Sequence, residues 1–311
     1  MATTEAVLRL ACQAPYDWAH LEAFLARRAL AGVERVDAAG YARTLACAEG
    51  PVVIAVRPLA GEDALELRVT GASPSGLPSI ESTARRVFDL PGDPARIGAQ
   101  LAADPLVGPL VAQRPGLRIP GAWDPFECAV RAVLGQQVSV AAGRTFAARL
   151  VGRCGEPLRG GGEGLTHLFP TPVSLAAADL AGLGMTGARA AALGSLARAV
   201  LEQRVDFSAA TADVTAALAA LPGIGPWTAQ YVALRALGER DAFPHGDWVL
   251  RRMAARPGTR VLSVRELGER AQRWRPWRGY ATLHLWHAAG ELGARTARGV
   301  PTRAARAAPP A

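Results

Sequence analysis

Residues 221–230 read Leu221-Pro222-Gly223-Ile224-Gly225-Pro226-Trp227-Thr228-Ala229-Gln230 and constrain the fold of this chain more than any other segment. A helical pattern over about 211–220 precedes them, and another over about 226–237 follows. Two glycines around one aliphatic residue let the backbone turn tightly and approach another surface closely. Pro226 suits the first position of the second helix, whose free amides point towards the turn. The pattern predicts two helices joined by a tight hairpin over about residues 211–237.

The hairpin has the features of a phosphate cradle. Main-chain N–H groups at a helix N-terminus bind phosphate but carry no information about the base. An ordinary helix-turn-helix connection is the alternative that Gly-x-Gly alone would favour. With Pro226 and Thr228 in place, the string favours a helix-hairpin-helix DNA element, in which Gly223, Ile224, Gly225 and Thr228 contact the backbone. Such elements occur in polymerases, ligases and nuclease subunits, so the motif predicts backbone contact only.

The charge of the chain points to the same partner. The formal net charge is +8, and all 35 basic residues are arginine because the chain contains no lysine. Eleven of these arginines lie between Arg235 and Arg278, where only five residues are acidic. This bias favours a nucleic-acid footprint over a merely solvated basic face. We expect double-stranded DNA as the partner, with Arg251 and Arg278 among the contacts.

The first third of the chain mixes strands with helices. Apolar and polar residues alternate over 7–11 and 65–69, a β-branched run spans 52–56, and helical patterns span 17–30 and 80–90. This order predicts a strand, a helix, a three-strand meander and a second helix, which together form a small antiparallel sheet covered on one face. The Pro/Gly-rich segment 114–121 is expected to lead out of this domain, so we set its bounds at 1–118.

The remainder of the chain reads as helix. Asp124, Pro125 and Glu127 form an N-terminal helix signal, namely a side-chain cap, a proline at the first position and an acid at the third. A further helical pattern spans about 187–203. We expect an all-helical core over 119–293 and, from its Ala, Arg and Pro content, a disordered tail over 294–311. The fold class is therefore α+β.

The composition excludes several classes of protein. Cys12, Cys47, Cys128 and Cys154 lie far apart, a spacing that fits neither zinc nor iron–sulfur ligation nor a disulfide scaffold. We expect all four to be small buried hydrophobic residues. No apolar run approaches the ~20 residues that span a bilayer, and the first residues do not resemble a signal peptide. We expect a monomeric, soluble cytoplasmic protein, associated with the nucleoid and without a cofactor or catalytic metal.

Asp247 is the candidate for chemistry. It lies in Phe243-Pro244-His245-Gly246-Asp247-Trp248-Val249-Leu250-Arg251-Arg252, twenty residues after Trp227. Taken alone, it is a good N-cap for a helix that begins at Trp248. We expect His245, in the same loop, to contact solvent or phosphate rather than to act as a base.

Five motifs in order, over about residues 6–290, resemble the bacterial DNA-3-methyladenine glycosylase II family of the helix-hairpin-helix glycosylase superfamily. Besides the hairpin with its aspartate, they are Pro15-Tyr16-Asp17-Trp18 with Phe24-Leu25-Ala26-Arg27-Arg28, Arg118-Ile119-Pro120-Gly121, Leu134-Gly135-Gln136-Gln137-Val138-Ser139-Val140, and Arg275-Pro276-Trp277-Arg278-Gly279-Tyr280-Ala281 through Leu285-Trp286. The resemblance implies a small α/β N-terminal domain, a helical glycosylase core and a catalytic Asp247.

The resemblance also implies the roles of further residues. It places a base pocket at Trp227, Tyr231 and Trp286, with Trp248 and Phe24 nearby and Gln136 also binding substrate. Gln137 would fill the gap that a flipped base leaves, and the carbonyls of Leu221 and Ile224 would hold a structural monovalent cation. Bifunctional members carry a lysine just before the hairpin threonine, whereas this chain has Trp227 there and no lysine for a Schiff base. A monofunctional enzyme is therefore expected.

The function that this resemblance implies is hydrolysis of the N-glycosidic bond of alkylated bases in duplex DNA, such as 3-methyladenine and 7-methylguanine. A large aromatic residue by itself is usually core, but the coincidence of several at the pocket positions favours a pocket. An aromatic ring over a cationic alkylated base adds ~2 kcal/mol when desolvated. Two alternatives stay open, namely action on deaminated or oxidised bases and a non-catalytic lesion-binding module; the spacing of Asp247 argues against the second.

Overall fold

The computed structural model describes residues 5–158, 160, 162, 164–255 and 258–297. The N-terminal part contains β1 (Glu5–Ala11), α1 (Trp18–Arg28), β2 (Glu34–Asp37), β3 (Gly40–Cys47), β4 (Gly50–Pro58), β5 (Ala64–Thr70) and α2 (Leu77–Val87). Helices follow: α3 (Pro94–Leu101), α4 (Gly108–Gln113), α5 (Pro125–Leu134), α6 (Val140–Cys154), α7 (Pro172–Ala177), α8 (Gly187–Leu201), α9 (Thr211–Ala219), α10 (Pro226–Arg235), α11 (Trp248–Met253), α12 (Val264–Arg270), a 3-10 turn (Ala271–Trp274) and α13 (Arg278–Ala297). The α+β class is confirmed.

The sheet is antiparallel with the order β1-β5-β4-β3-β2. β1 pairs with β5, so the first strand lies at the far edge of the meander from β2. The meander after α1 has four strands, and the expectation of three was wrong. The sequence patterns located neither β2 nor β3, and in β3 the buried Arg43 and Thr44 interrupt the apolar pattern.

One face of the sheet packs against α1 and α2. Ile54, Leu67 and Val69 are fully buried on this face, beneath Leu21 of α1 and Ala84 of α2. Alternating burial along β4 is the pattern of a sheet with one packed face. The covered sheet predicted from the sequence is present.

The helical part has two apolar cores. One surrounds α5, whose Ala129, Val133 and Leu134 are fully buried among α6, α8, α9 and α10. The other joins α3 and α4 to α11, α12 and α13 around Trp274, which is fully buried. α3 and α4 precede the boundary expected at residue 118, yet their apolar residues pack with the C-terminal helices.

A buried ion-pair network joins the sheet to the helices. Arg43 of β3 contacts Glu127 of α5 at 2.6 Å, and their side chains are only 4% and 5% exposed. Arg131 pairs with both Glu34 and Glu127 at 2.8 Å. Burial raises the pKa of Glu127, but Arg43 and Arg131 outweigh burial and hold that pKa below its ordinary value. Four charged groups thus neutralise one another inside the protein.

Three expectations about the rest of the chain can be compared with the structure. α13 continues to Ala297, four residues into the segment 294–311 that was expected to be disordered, and residues 298–311 lie outside the described residues. All four cysteines are free, but only Cys128 is buried; Cys12, Cys47 and Cys154 are half-buried, so the expectation was wrong for these three. No helix in the described part of the chain is long and apolar enough to cross a membrane.

Candidate active site

The hairpin between α9 and α10 lies against α8. Gly223 has φ of +82°, a conformation that strains any residue with a Cβ, and a Cβ there would stand 2.8 Å from that of Ala192. Ile224 is 3% exposed and anchors the turn in the α5 core. Fold and packing therefore both require Gly223.

Gly225 differs from Gly223. It is exposed, its φ is −92°, and it precedes Pro226 as the N-cap of α10 without a side-chain cap. Apart from its chain neighbours Ile224 and Pro226, no residue that the structure describes lies within 4 Å of a Cβ built there. Neither fold nor packing requires a glycine here, so the open space in front of the α10 N-terminus is available to a ligand.

Gln136 follows α5 and holds the hairpin. Its Nε2 donates to the carbonyl oxygen of Gly223 and to the Oγ1 of Thr228, both at 3.0 Å. Thr228 is buried, and its hydroxyl is therefore a structural acceptor. The structure places Gln136 against the hairpin, whereas the resemblance implied a contact with substrate.

Gln137 is exposed in the turn between α5 and α6. Its φ of +54° is left-handed, a conformation that costs a residue other than glycine about 1–2 kcal/mol. Arg189 donates to the neighbouring carbonyl of Gln136 at 2.6 Å, and Ser139 caps α6. The surrounding contacts thus hold a strained residue whose side chain is exposed.

Asp247 is the N-cap of α11 and receives hydrogen bonds from two tryptophans. Its Oδ1 accepts from the backbone N–H of Leu250 at 2.9 Å and from Nε1 of Trp286 at 3.3 Å. Its Oδ2 accepts from Nε1 of Trp227 at 2.9 Å. Donors from α10, α11 and α13 therefore orient one half-buried carboxylate.

Three aromatic rings form a wall beside this carboxylate. Trp227 and Tyr231 are stacked, with centroids 5.2 Å apart and ring planes at 14°. The centroid of Trp286 lies 6.2 Å from that of Tyr231, with the planes tilted by 48°. All three side chains are only half-buried. The structure therefore brings the predicted aromatic residues together and leaves part of their surface accessible.

Two arginines meet at Phe24, beside Tyr231. The guanidinium carbons of Arg28 and Arg235 lie 3.7 Å and 4.5 Å from the Phe24 ring centroid. Arg235 donates to the Tyr231 hydroxyl at 2.6 Å and to the carbonyl oxygens of Pro120 and Gly121. Burial is the main cause that lowers the pKa of Arg28 to about 10, and repulsion from Arg235 lowers it further.

Sequence reasoning did not identify these two arginines. The available signal was the spacing of four residues between Phe24 and Arg28 and between Tyr231 and Arg235, which places each arginine on the face of its aromatic neighbour.

The other predicted contacts lie outside the aromatic wall. Trp248 is 63% exposed at the start of α11. Arg251 donates to the carbonyl of Leu262 at 2.6 Å, and Arg278 forms two bonds of 2.8 Å to Asp241. The Nδ1 of His245 lies 3.3 Å from the carbonyl oxygen of Phe243 in its own loop. Protein partners thus already hold both arginines predicted to contact DNA.

The hairpin carbonyls are the predicted site of a monovalent cation. The carbonyl of Leu221 accepts the N–H of Ile224 at 3.0 Å, which leaves it one free lone pair. The cation stays a prediction. Elsewhere, no group of three or more His, Cys, Asp or Glu residues in the described ranges could hold a metal ion.

The chain is similar to known DNA repair proteins. Residues 7–124 match the AlkA N-terminal domain, and residues 130–267 match the HhH-GPD superfamily base excision DNA repair protein model. Escherichia coli DNA-3-methyladenine glycosylase 2 is 39% identical over 284 residues, which cover 89% of this chain and 96% of that protein. A Mycobacterium tuberculosis protein, a probable bifunctional transcriptional activator/DNA repair enzyme AlkA, is 38% identical over 90% of this chain, which spans only 56% of its length.

Solved structures share the fold. A 3-methyladenine DNA glycosylase from Archaeoglobus fulgidus superposes with a TM-score of 0.78 at 20% identity, covering 91% of this chain and 98% of that one. A Clostridium acetobutylicum 8-oxoguanine glycosylase/lyase, solved with double-stranded DNA, gives 0.66 at 19% identity and covers 84% and 88%. At these identities the likeness concerns the fold alone.

Proposed function

We propose a function for this chain from its family and its site, because the chain belongs to the HhH-GPD superfamily of base excision DNA repair proteins, together with DNA-3-methyladenine glycosylase 2. Its proposed activity is hydrolysis of the N-glycosidic bond of alkylated bases in duplex DNA, including 3-methyladenine and 7-methylguanine. The observation that carries the proposal is the carboxylate of Asp247, held by the indole N–H groups of Trp227 and Trp286 beside a stacked aromatic wall.

The aromatic wall suits a base that has left the duplex. Extruding a base costs a few kcal/mol, and damaged pairs yield most readily. Alkylation at N3 or N7 gives a purine a positive charge, which the electron-rich rings of Trp227, Tyr231 and Trp286 attract by cation–π interaction. An undamaged neutral purine would stack on the same rings without that attraction. The wall can therefore discriminate by charge.

Asp247 suits the reaction at the sugar. When the bond between the base and C1′ breaks, the sugar develops oxocarbenium character. A carboxylate fixed beside C1′ stabilises this charge and can orient and deprotonate the water that attacks C1′. A cationic base is a good leaving group, so the reaction requires no second acid. The products are the free base and an abasic site.

The enzyme is proposed to be monofunctional. Strand cleavage through a Schiff base on a lysine side chain is excluded, because this chain contains no lysine. Trp227 occupies the position just before Thr228 and donates its N–H to the carboxylate instead. We infer hydrolysis by water, without lyase activity.

The grip on DNA is proposed to come from the hairpin and from Gln137, with the chain acting as a monomer at the nucleoid. The α10 N-terminus presents its amides across the open space at Gly225, where a phosphate can approach. The exposed Gln137 would enter the gap left by the extruded base. Because glutamine has donors and acceptors, it can also pair with the orphaned base.

The decisive test compares wild type with Asp247→Asn on methylated duplex DNA, with release of free bases as the readout. Asparagine caps a helix nearly as well as aspartate, so fold and binding to abasic-site DNA should persist. We expect base release to fall by at least about 100-fold, because the charge stabilisation at the sugar is lost. Asp213→Asn, an exposed substitution on α9, should leave release unchanged.

Two outcomes would contradict the proposal. Equal release by wild type and Asp247→Asn would remove the carboxylate from the mechanism. Tight binding of methylated DNA by wild type without any release of bases would favour a lesion-binding module.

A further inference from the structure

Arg28, in the last turn of α1, is a cation without an acidic partner. Among the described residues no carboxylate pairs with it, and its hydrogen bond to the Phe24 carbonyl is long, at 3.4 Å. A guanidinium carries five N–H donors, and buried arginines are normally paired. Arg28 therefore has spare donors while lying half-buried over an aromatic ring.

The protein holds the backbone of Arg28 in place. Arg131 donates to the carbonyl oxygen of Arg28 at 2.5 Å, and Glu34 accepts the N–H of Leu30 at 3.1 Å. A role for Arg28 in stabilising the C-terminus of α1 does not require burial, because the exposed Arg27 provides the same charge there. The half-buried position of Arg28 over the Phe24 ring points to a different task.

The aromatic wall has a carboxylate at one end and guanidinium groups, including that of Arg28, at the other. A cavity of about 60 Å³ lies beside Phe24 and Tyr231. Its charged lining residues are Arg28, Arg43, Arg131, Arg235, Glu34 and Glu127. Positive charges therefore outnumber negative ones there. At the other end of the aromatic wall, Trp227 and Trp286 hold the carboxylate of Asp247. The Asp247 end is negative and the Phe24 end is positive.

We infer that Arg28 recognises the edge of the flipped base that lies opposite the glycosidic bond and favours bases with a carbonyl oxygen there. The inference rests on the proposed function, since the glycosidic bond must face Asp247 and the opposite edge then faces Phe24 and Arg28. In 7-methylguanine that edge carries the O6 acceptor, which matches an arginine donor. In 3-methyladenine an amino group replaces O6 and cannot accept from Arg28, so that edge offers only the ring nitrogen N1 as an acceptor.

The same contact strengthens as the reaction proceeds. When the bond from C1′ to the base nitrogen breaks, its electron pair stays with the base and neutralises the positive ring, so electron density on O6 increases. The oxygen of water bonds to C1′, and its proton passes to Asp247 before release to solvent. A donor at O6 therefore stabilises the transition state more than the bound substrate.

The experiment uses one sample of methylated duplex DNA that contains both bases, and measures the ratio of 7-methylguanine to 3-methyladenine released by wild type and Arg28→Met. A hydrogen bond from a charged donor predicts that this ratio falls about 10- to 100-fold. Both bases are cations in the same tube, so their common repulsion from Arg28 and the fraction of folded enzyme cancel in the ratio. Arg27→Met, the exposed neighbour, should leave the ratio unchanged.

Further outcomes separate this inference from the proposed function. Wild type that releases neither base contradicts the proposed function and removes the basis of the inference. Release of both bases by wild type, with the same ratio or an equal fall of both bases in Arg28→Met, overturns only the role of Arg28. If Arg28→Met does not fold, Arg28→Gln retains part of the aliphatic stem and places a neutral amide where the guanidinium was, and it must still lower the ratio.

Discussion

Among single residues, Gly223 and Gly225 show how one motif serves two purposes. Gly223 has a positive φ and no room for a Cβ beside Ala192, so the fold requires it. Gly225 has an ordinary φ and open space around it, so only an approaching ligand would require it. The sequence motif does not distinguish the two glycines, but the structure shows that only Gly223 is required by the fold.

This difference yields a paired prediction. Gly223→Ala should lower the free energy of unfolding by about 1–2 kcal/mol, because a Cβ is strained at positive φ. Gly225→Ala should cost no more than about 1 kcal/mol, the loss expected of alanine at an N-cap, but weaken binding to duplex DNA about 10-fold, through loss of close contact with one phosphate. Urea unfolding and fluorescence anisotropy measure the two effects. Loss of stability in Gly225→Ala without weaker binding would contradict the ligand role.

Among the secondary-structure elements, β3 and α5 depend on each other through charge. Arg43 on β3 and Glu127 on α5 are almost fully buried and meet at 2.6 Å. Burying an ion pair gains little net stability, but removing one partner leaves an uncompensated charge in the interior. The network therefore fixes how the sheet sits on the helix that leads to Gln136 and Gln137.

Removing one partner tests this dependence. We expect Arg43→Met to lower the free energy of unfolding by about 3–5 kcal/mol, since Glu127 then stays buried with its main partner lost. Arg57→Met, which breaks an exposed pair with Glu66, should cost about 0–1 kcal/mol. Urea denaturation of both variants gives the comparison. Equal losses would show that the buried network does not join the two elements.

Across the whole molecule, helices from the two ends of the chain meet at a histidine cluster. His20 of α1 lies 3.1 Å from His287 of α13, ring nitrogen to ring nitrogen, and one of them must be neutral to accept. Burial is the main cause that lowers the pKa of His20 from 6.5 to about 4, and repulsion from His287 is the second. Burial, followed by repulsion from His20, lowers that of His284 to about 3. The same helices carry Phe24 and Trp286.

The cluster predicts the pH dependence of stability. A histidine with a lowered pKa in the folded state binds protons more readily when unfolded, so its stabilisation is complete above pH 6.5 and is lost on acidification towards pH 4. The free energy of unfolding should therefore fall steadily from pH 7 to pH 4. Urea unfolding at several pH values should give a shallower slope for His20→Gln than for wild type. Identical slopes would exclude the cluster as the cause.

Several features of this protein follow from residue type and from neighbours in the sequence. Hairpin glycines, the proline at the start of α10, the Asp124 and Asp247 caps and the absence of lysine depend on neighbouring residues or on residue type, so the sequence alone reveals them. Apolar periodicity likewise predicted the covered sheet face and the helices α1, α2, α5, α8, α9 and α10. The sequence did not locate β2 or β3, and in β3 the apolar pattern is interrupted by Arg43, whose buried charge is neutralised by Glu127 of the distant α5.

Tertiary structure alone decided which side chains meet. Trp227, Asp247 and Trp286 come from three helices, and the hydrogen bonds that orient the carboxylate exist only once those helices are packed. The two arginines at Phe24 come from α1 and α10, which lie far apart in the sequence. Sequence patterns indicate which face of a helix is apolar, but the distances and directions between side chains on different helices depend on how those faces interlock.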